Sequence, residues 1–340
     1  MTPPAVTVVV PTRDRSARLT RLLAGLRAQS IGVDAFEVVV CDDASTDPAV
    51  GELLGAATSE RERGGLHLRA LRHDTARGPA VARNTAWRRA RAPLVAFIDD
   101  DCVPTARWLE ALLDAWWAAD RTDAALLQGP VDPDPGEFPQ AQTPFSTTLW
   151  VHDAGPRFET ANIAYPLALL ERLDGFDESL VVAGEDTDLG WRAVESGATV
   201  VWAGDALVHH GVIAQTPWGR LAKGWRWRFV PAVYARHPGL RDELVVGVFW
   251  TVWHWWLFRA LLAVALHPRS PARAGRPGGL RGPRRGPAWS FVRWFLAFPY
   301  VRRLTHYRTG PVLAPYRLAC DIVEVAAIGV GAVRHRVPMI

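Results

Sequence analysis

The sequence predicts an α/β protein, in which a sheet of βαβ units with flanking helices is followed by a helical region that associates with a membrane. Two observations predict this fold class. Short apolar runs alternate with helix-like stretches up to about residue 211, and most of the runs are continuous, as in parallel strands covered on both faces. Beyond that point the composition becomes basic and rich in tryptophan. We therefore divide the chain into an α/β domain at 1–215 and a helical region at 216–340.

The first half of the sequence is predicted to form five strands, at Val6–Val10, Phe36–Val40, Leu66–Leu71, Leu94–Ile98 and Ala124–Leu127. Helix-like stretches lie between them at Ser16–Ala28, Pro79–Arg91 and Thr105–Ala119. A second segment adds helices and strands near Pro166–Arg172, Glu185–Ser196, Thr199–Trp202 and Ala206–His209. Strands that alternate with helices imply right-handed βαβ units, and the ligands of such sheets bind beyond the carboxyl ends of the strands.

The two regions carry opposite charge. Residues 1–215 contain 19 arginines and 31 acidic residues, a balance of −12, whereas residues 216–340 contain 20 basic and 4 acidic residues, a balance of +16. A basic region suits an anionic partner such as lipid headgroups or nucleic acid. No zinc-finger, RNA-recognition or homeodomain pattern is present, so we expect a membrane surface and no nucleic acid.

Three cysteines, Cys41, Cys102 and Cys320, are odd in number and far apart, which argues against a disulfide scaffold and fits a reducing compartment. The N-terminal segment has no basic stretch followed by a long apolar one, so it predicts a buried strand rather than a signal peptide. We therefore expect a cytoplasmic protein, peripheral to or anchored at the inner face of the cell membrane.

Leu244–Leu266 is a mainly apolar run of 23 residues, long enough to span a bilayer. His254 and Arg259 interrupt it, and a charge at the bilayer centre costs at least about 2.5 kcal/mol. We therefore favour helices that lie in the membrane interface over a true span; a helical subdomain or a dimer contact is the alternative. A Pro/Gly/Arg linker is predicted at 267–287, and two apolar segments follow at Ala288–Val301 and Leu318–Val333.

Three consecutive acids, Asp99, Asp100 and Asp101, directly follow a predicted strand. In an extended segment, side chains two residues apart point to the same side, so Asp99 and Asp101 are expected to converge while Asp100 faces elsewhere. A divalent cation with oxygen ligands would offset the repulsion between these carboxylates. The alternative is a solvated acidic loop that caps the next helix.

Polar clusters follow two more predicted strands. Asp42 and Asp43 follow Phe36–Val40, and Pro11–Asp14 ends the first strand. Either cluster alone also fits ordinary turn and capping chemistry. Three such clusters at one edge of a sheet are much less expected by chance, so we predict a ligand site there.

Acids also open the helix predicted near Glu185–Ser196. The helix macrodipole favours acids in a first turn, so a capped helix is one interpretation. A carboxylate that acts as a general base toward an acceptor hydroxyl is the other. The adjacent pair His209 and His210 ends a predicted strand. A structural or surface role is one interpretation of this pair, and metal binding beside the acidic cluster is the other.

Five stretches together resemble the ordered motif set of family 2 glycosyltransferases with the GT-A fold, a Rossmann-like mixed sheet with flanking helices. They are Thr7–Arg15, Val38–Asp47, Arg77–Asn84, Ala96–Trp108 and Leu173–Arg192. The match covers about residues 5–211. It implies an inverting, metal-dependent transferase that moves a sugar from a nucleotide-diphosphate sugar to an acceptor hydroxyl. The membrane-prone C-terminal region suggests a glycan or lipid-linked acceptor, in lipid-linked or cell-envelope glycan synthesis.

The resemblance implies a role for each matching residue. The implied donor-binding residues are Pro11, Thr12, Arg13, Asp14, Asp42, Asp43, Arg77, Arg83, Asp99 and Asp100. The implied ligands of Mn²⁺ or Mg²⁺ are Asp99, Asp101 and His210. Asp186 is the implied catalytic base, with Glu185 and Trp191 on the acceptor side. Two choices stay open: whether His209 or His210 faces the metal, and which of Arg77 and Arg83 contacts the nucleotide.

Two other functions fit part of this pattern. A sugar nucleotidyltransferase shares a related fold, but it needs a glycine-rich loop after the first strand, and Pro11–Arg15 contains no glycine. A non-catalytic scaffold that binds a nucleotide-sugar or a lipid would be expected to lack one of the acidic motifs, and all of them are present.

Overall fold

The structure is a computed structural model that describes residues 3–60, 64–139, 143–266, 287–305 and 311–340. The chain folds into two units, Met1–Pro217 and Trp218–Ile340. The first unit contains the sheets, and the described residues of the second unit are mostly helical.

Ten strands lie in the described residues of the first unit: β1 Val6–Thr12, β2 Phe36–Asp42, β3 Leu68–Arg72, β4 Leu94–Phe97, β5 Cys102–Pro104, β6 Ala125–Gln128, β7 Val131–Pro133, β8 Ile163–Pro166, β9 Thr199–Trp202 and β10 Val208–His210. Its helices are α1 Ser16–Arg27, α2 Pro48–Ser59, α3 Pro79–Trp87, α4 Trp108–Ala118, α5 Leu167–Leu173 and α6 Glu185–Glu195.

The main sheet has the strand order β3-β2-β1-β4-β8-β6-β9. Strands β1 to β4 are parallel, β8 is antiparallel to both β4 and β6, and β9 is parallel to β6. A small second sheet has the order β5-β10-β7. Because β1, β2 and β4 run in parallel side by side, their carboxyl ends meet at one edge. The predicted polar clusters therefore share that edge.

Both faces of the main sheet are buried, which explains the continuous apolar runs in the sequence. Val8 and Val10 of β1 face a core that includes the leucines of α1, while Val9 faces a second core that includes α3 and α6. Side chains alternate between the two faces along each strand. Each inner strand therefore needs apolar residues at every position.

The mixed α/β fold predicted from the sequence is confirmed, but four elements in the described residues of the first unit were missed, namely α2, β5, β7 and β8. Helix α2 begins after Asp47, whose side chain accepts a hydrogen bond from the Ala49 amide (3.0 Å), which agrees with the capping alternative for this acidic motif. Strand β8 has only four residues and leads directly into α5, so its apolar residues read as the start of that helix.

Helix α7, Pro217–Gly224, begins at the last residue of the first unit. The second unit continues with α8 Val230–Arg236, α9 Val252–Ala265, α10 Pro287–Thr305 and α11 Ala314–His335, with short 3-10 helices at Trp225–Phe229, Pro238–Glu243 and Pro311–Leu313. The apolar run Leu244–Leu266 is not one helix. Val246 and Gly247 have positive φ angles, and the helix starts only after Thr251, which caps it. Apart from Pro287, the predicted linker lies outside the described residues.

Within the described residues, no helix combines the length and the apolar character needed to cross a bilayer.

Candidate active site

The three consecutive acids lie in a turn rather than in an extended segment. Strand β4 ends at Phe97, and the Cys102 amide donates to the Asp99 carbonyl (3.1 Å) as the chain enters β5. Arg15 Nη1 donates to both Asp100 (2.8 Å) and Asp101 (2.9 Å). The expected pairing of Asp99 with Asp101 is therefore wrong, because a turn removes the alternation of side chains on which it depended.

Asp100 lies in the turn after β4 and is buried next to Thr12, the last residue of β1. It accepts a hydrogen bond from the Thr12 hydroxyl (2.8 Å) in addition to the one from Arg15. Burial raises the pKa of Asp100 to about 6 against the opposing effect of Arg15, and repulsion from Asp101 adds to the rise. The hydrogen bond from Thr12 joins the first predicted donor loop to the acidic turn.

Asp101, Cys102 and His210 form a candidate metal group among the described residues, with ligand atoms within 4.8 Å of one another. His210 Nε2 lies 3.6 Å from Asp101 Oδ1. Burial, and then the neighbouring acids, raise the pKa of the Cys102 thiol. Asp99 was predicted as a ligand, but it lies outside this group and bonds to Arg83 instead.

His210, and not His209, faces the acidic turn. His210 Nδ1 lies 2.7 Å from the Gly211 carbonyl, which assigns the ring proton to Nδ1 and leaves the lone pair on Nε2 toward Asp101. Two backbone bonds hold this geometry, from the Gly211 amide to the Asp101 carbonyl and from the Asp134 amide to the His210 carbonyl (both 2.8 Å). His209 Nδ1 is buried without a hydrogen-bond partner in the described part of the chain.

Arg83, on α3, is buried and joins two acidic motifs. Its Nη2 donates to Asp99 (2.7 Å) and its Nη1 to Glu185 (3.0 Å). The predicted contact of Arg83 with the nucleotide or its phosphates is not supported by this geometry, since both terminal nitrogens already bind carboxylates. Arg83 instead holds the start of α6 close to the acidic turn after β4.

Asp186 lies in the first turn of α6, next to Glu185. Burial, and then the Glu185 charge, raise the pKa of Asp186 well above that of an ordinary carboxyl. A third carboxylate, Glu159, raises the pKa further, and Gln128 donates to Glu159 (3.1 Å). Asp186 is thus a carboxylate in surroundings that strengthen it as a base, which is what proton abstraction from a hydroxyl requires.

Asp43, at the end of β2, is bound to the segment that opens α3. It accepts hydrogen bonds from the backbone amides of Arg77 (2.9 Å) and Gly78 (2.8 Å), and its Oδ1 lies 2.8 Å from His73 Nδ1. Burial alone would raise the pKa of Asp43, but the bonds from His73 and the two amides lower it. Asp43 therefore stays ionised as an acceptor.

The other predicted donor-binding acids, Asp14 and Asp42, stabilise the loops that follow β1 and β2. Asp42 accepts from the Ser45 amide (2.9 Å) and pairs with Arg72. Asp14 has a positive φ angle, and its Oδ1 accepts from the Asp47 amide (2.9 Å), which lowers the pKa of Asp14. These bonds fix the loops after β1 and β2 to each other. The exposed Arg13 lies beside Asp14, with Nε 3.6 Å from Oδ2.

The remaining predicted residues lie at the borders of this cluster. Pro11 pairs with Cys41 in the β1–β2 ladder. Arg77 is exposed, with Nη2 3.6 Å from Glu178. Trp191 packs against the core, and its ring N–H donates to the Pro156 carbonyl (2.9 Å). The ring nitrogen of Trp191 is thus used within the protein.

Sequence reasoning missed three residues that complete the site: Arg15, His73 and Tyr165. Arg15 was predictable in principle, because three adjacent carboxylates need a cation and it ends the first donor motif. His73 follows β3, the strand beside β2, so its place at the same edge was also accessible. The Tyr165 hydroxyl is buried without a hydrogen-bond partner among the described residues, and burial and the Asp186 charge raise the pKa of Tyr165. No sequence signal marks it.

Helix α3 connects these parts. Its N-terminal end is tied to Asp43, and Arg83 on the same helix binds Asp99 and Glu185. Three motifs that are far apart in sequence therefore meet around one short helix. Such a cluster can bind a cationic metal, an anionic ligand that the metal neutralises, and a hydroxyl that donates a proton.

The chain is similar in sequence and in fold to known proteins. Residues 7–166 match the model of Glycosyl transferase family 2. The Pre-mycofactocin glycosyltransferase of Mycobacterium tuberculosis is 30% identical over 259 residues, which cover 71% of this chain and 50% of the relative. The Validoxylamine A glucosyltransferase of Streptomyces hygroscopicus subsp. jinggangensis is 29% identical over 299 residues, 73% of this chain and 64% of the relative. The chain thus spans about half to two thirds of the length of these curated relatives.

Among solved structures, the mannosyltransferase PcManGT from Pyrobaculum calidifontis, in complex with GDP-Man and Mn²⁺, superposes with a TM-score of 0.59. It is 23% identical, and the match covers 95% of this chain and 88% of the neighbour. This likeness concerns the fold.

Proposed function

The chain belongs to glycosyltransferase family 2 and has the GT-A fold, and from this we propose that it transfers a sugar, with inversion, from a nucleotide-diphosphate sugar to an acceptor hydroxyl. The single observation that carries the proposal is the pair of bonds from Arg83 to Asp99 and Glu185. They join the acidic turn, where a donor diphosphate is expected, to the helix that carries the proposed base. A direct displacement needs these two groups on opposite sides of one reacting carbon.

Asp186 is the proposed catalytic base. Its carboxylate takes the proton of the acceptor hydroxyl as the hydroxyl oxygen bonds to the anomeric carbon, and the bond from that carbon to the diphosphate oxygen breaks with its electron pair. The raised pKa of Asp186 suits this role, because a base whose pKa approaches the working pH combines strength with availability. Attack opposite to the leaving group inverts the anomeric carbon.

Asp43 is proposed to accept a hydrogen bond from a ring N–H of the donor's base. Its lowered pKa keeps the carboxylate ionised, and its bonds to two backbone amides and His73 fix its position. Thr12 and Arg15 lie on the same side of the sheet edge, bound to Asp100. We propose that this edge holds the nucleoside diphosphate.

Asp101 and His210 are the residues proposed to hold a divalent cation. One carboxylate and one imidazole with its lone pair on Nε2 suit Mn²⁺ better than Mg²⁺, which prefers oxygen ligands. When bound, the cation would stabilise the negative charge of the leaving diphosphate. Asp99 is proposed to act through Arg83 rather than as a ligand.

We further propose a lipid-linked or cell-envelope glycan as acceptor, and a location at the inner face of the cell membrane. The support is the charge of residues 216–340, which contain 20 basic and only 4 acidic residues, together with the concentration of tryptophan there. Cys41 and Cys102 are unpaired and buried, which agrees with a reducing compartment.

The test is turnover of sugar-labelled UDP- and GDP-sugars by the full chain, with and without Mn²⁺, using water and then membrane glycolipid extracts as acceptors. Replacing Asp186→Asn removes the base while keeping the shape, so turnover is expected to fall about 10²- to 10⁴-fold. Thermal stabilisation by the same donor should persist, because donor binding does not use Asp186.

The matched control is Glu195→Gln, on the exposed side of the same helix, which should leave turnover unchanged. Unchanged turnover in the Asp186→Asn variant would remove the proposed mechanism. A chain that is stabilised by a donor but turns over none of them would be a scaffold rather than an enzyme.

A further inference from the structure

Helix α10 of the second unit carries a stripe of exposed aromatic residues. Phe291, Trp294, Phe295 and Phe298 follow the i, i+3, i+4, i+7 spacing of one helix face, and we call this set the aromatic stripe. Phe291 and Trp294 are 65% and 57% exposed. Monomeric soluble proteins rarely leave such a row of large apolar side chains exposed to water, so we expect a binding partner to cover the stripe.

The opposite face of α10 is already packed. Tyr300 is buried, and its hydroxyl donates to Asp321 of α11 (2.8 Å). Arg303 pairs with the same carboxylate. These bonds fix the rotation of α10 about its axis, so the aromatic stripe is held outward by the fold.

Helix α9 extends the same apolar surface. The two helices are bonded to each other, from Arg293 Nε to the Ala263 carbonyl (2.9 Å) and from Arg259 Nη2 to the Phe295 carbonyl (3.2 Å). Leu261 of α9 is exposed as well. Both helices therefore expose large apolar side chains, and the Arg259 guanidinium lies over the Phe295 ring, 5.3 Å from its centroid.

The charges around this surface indicate which kind of partner it can bind. Helices α9 and α10 contain arginines and no acid, and the whole sequence from 244 to 320 contains twelve arginines without an Asp or Glu. A symmetric contact with a second copy would set this basic surface against itself. An anionic lipid surface offers the opposite charge beside an apolar layer.

The lengths of the helices set how they can meet a bilayer. With 14 and 19 residues, α9 and α10 are about 21 and 28 Å long, short of the usual 20 residues of a span, and α10 contains Pro299 in its interior. Exposed Arg302 lies four residues beyond Phe298, on the side of the aromatic stripe. A helix in the membrane plane would bury the stripe and leave Arg302 at the headgroups.

We propose that the aromatic stripe of α10, with the adjoining surface of α9, is the face that inserts into the interface of an anionic bilayer. This inference rests on the membrane location proposed above and names the surface responsible for it. It requires no span. It also predicts that aromatic side chains and arginines contribute separately to binding.

The experiment is flotation of the full chain with two kinds of vesicle, phosphatidylcholine alone and phosphatidylcholine with one third phosphatidylglycerol. The wild-type chain should float with the anionic vesicles. The double variant Trp294→Ser/Phe295→Ser should lose at least about tenfold in vesicle partition, since insertion depends on the buried apolar area. Arg302→Glu should weaken binding to the anionic vesicles only.

The matched control is Trp117→Ser in the first unit, where a tryptophan of similar exposure (51%) lies outside the proposed face. It should float as the wild type does. If the double variant also floats like the wild type, the assigned face is wrong while the membrane location stands. If the wild type does not float at all, both fail, and turnover of the donor still tests glycosyl transfer independently.

Analytical ultracentrifugation without lipid tests the remaining alternative, in which a second copy of the chain covers the aromatic stripe. A monomeric wild type supports the lipid face. A wild-type dimer that the double variant converts to a monomer would overturn the proposal in favour of a contact between two copies.

Discussion

Replacing the buried Arg83 should destabilise the first unit more than replacing any exposed arginine. The Arg83 side chain is 5% exposed and makes two charge-assisted hydrogen bonds, to Asp99 and Glu185. The change Arg83→Met keeps the apolar stem and removes both bonds. Asp99 and Glu185 then have no paired cation, and this should lower the free energy of unfolding.

The magnitude follows from the burial of the partners. Removing one member of a buried ion pair costs about 3–5 kcal/mol, because the other charge stays uncompensated. Glu185 is 10% exposed and cannot recover its solvation, whereas Asp99 is 29% exposed and can recover part of it. We therefore expect the lower end of that range, about 3 kcal/mol in the free energy of unfolding.

The assay is urea unfolding of the full chain, followed by circular dichroism and compared with Arg88→Met. Arg88 follows α3 directly and pairs with Asp174, but both side chains are well exposed, so its loss should cost less than about 1 kcal/mol. A cost below about 1 kcal/mol for Arg83→Met, or equal costs for the two variants, would refute the reasoning.

Arg83 also lowers the pKa of Asp186 through its charge. In the Arg83→Met variant, the pKa of Asp186 should rise further, and the pH at which turnover reaches half its maximum should move upward. A destabilised variant with an unchanged pH profile would show that Arg83 acts on stability alone.

Three further predictions concern the same unit. Asp186 holds its proton to a higher pH in the folded than in the unfolded chain, so the stability of the wild type should fall as pH rises between the two pKa values. The variant Asp186→Asn should lack that slope in thermal unfolding, and its advantage over the wild type should grow by about 1.4 kcal/mol each time the pH rises by one within that window. His210→Ala should weaken stabilisation by Mn²⁺ at least about tenfold in a thermal-shift titration. Gly190→Ala should cost about 1–3 kcal/mol in urea unfolding, because the added carbon would lie 2.1 Å from the ring of buried Phe158.

Each of these predictions has a control. A wild-type stability curve that rises between about pH 5 and 8, with no difference from Asp186→Asn, would contradict the assigned pKa direction. His152→Ala removes an exposed histidine and should leave the Mn²⁺ titration unchanged. Gly51→Ala, where nothing lies within 4 Å of the added carbon, should stabilise α2 by about 0.5–1 kcal/mol. Equal losses from Gly190→Ala and Gly51→Ala would exclude the steric explanation.

The sheet was the part of the fold most accessible from sequence. Continuous apolar runs such as Val6–Val10 are what a parallel sheet buried on both faces requires. The antiparallel β8 was not accessible, because Ile163–Pro166 is short and merges with the apolar start of α5. Pairing with β4 and β6, both distant in the chain, makes it a strand.

The membership of the acidic cluster could be predicted, but its pairing could not. Strand polarity brings Thr12, Asp42 and Asp99 to one edge, and this follows from sequence order alone. The partner of each carboxylate depends on the turn after Phe97 and on which arginine reaches it. Arg83 illustrates the limit: the family resemblance implied a contact with the nucleotide or its phosphates, yet the buried Arg83 side chain pairs with two carboxylates instead.

The balance of charge at the site explains why those pairings matter. Arg15 and Arg83 bind four carboxylates between them, Asp99, Asp100, Asp101 and Glu185, so the cluster keeps an excess of negative charge. The rise in the pKa of Asp100 to about 6 despite Arg15 reflects burial among these charges. A diphosphate would add to the excess, because the positive charge of both arginines is already matched by carboxylates. The acidic cluster therefore suits an anionic donor only together with further positive charge, and Asp101 with His210 is the place in the described residues where a cation fits that need.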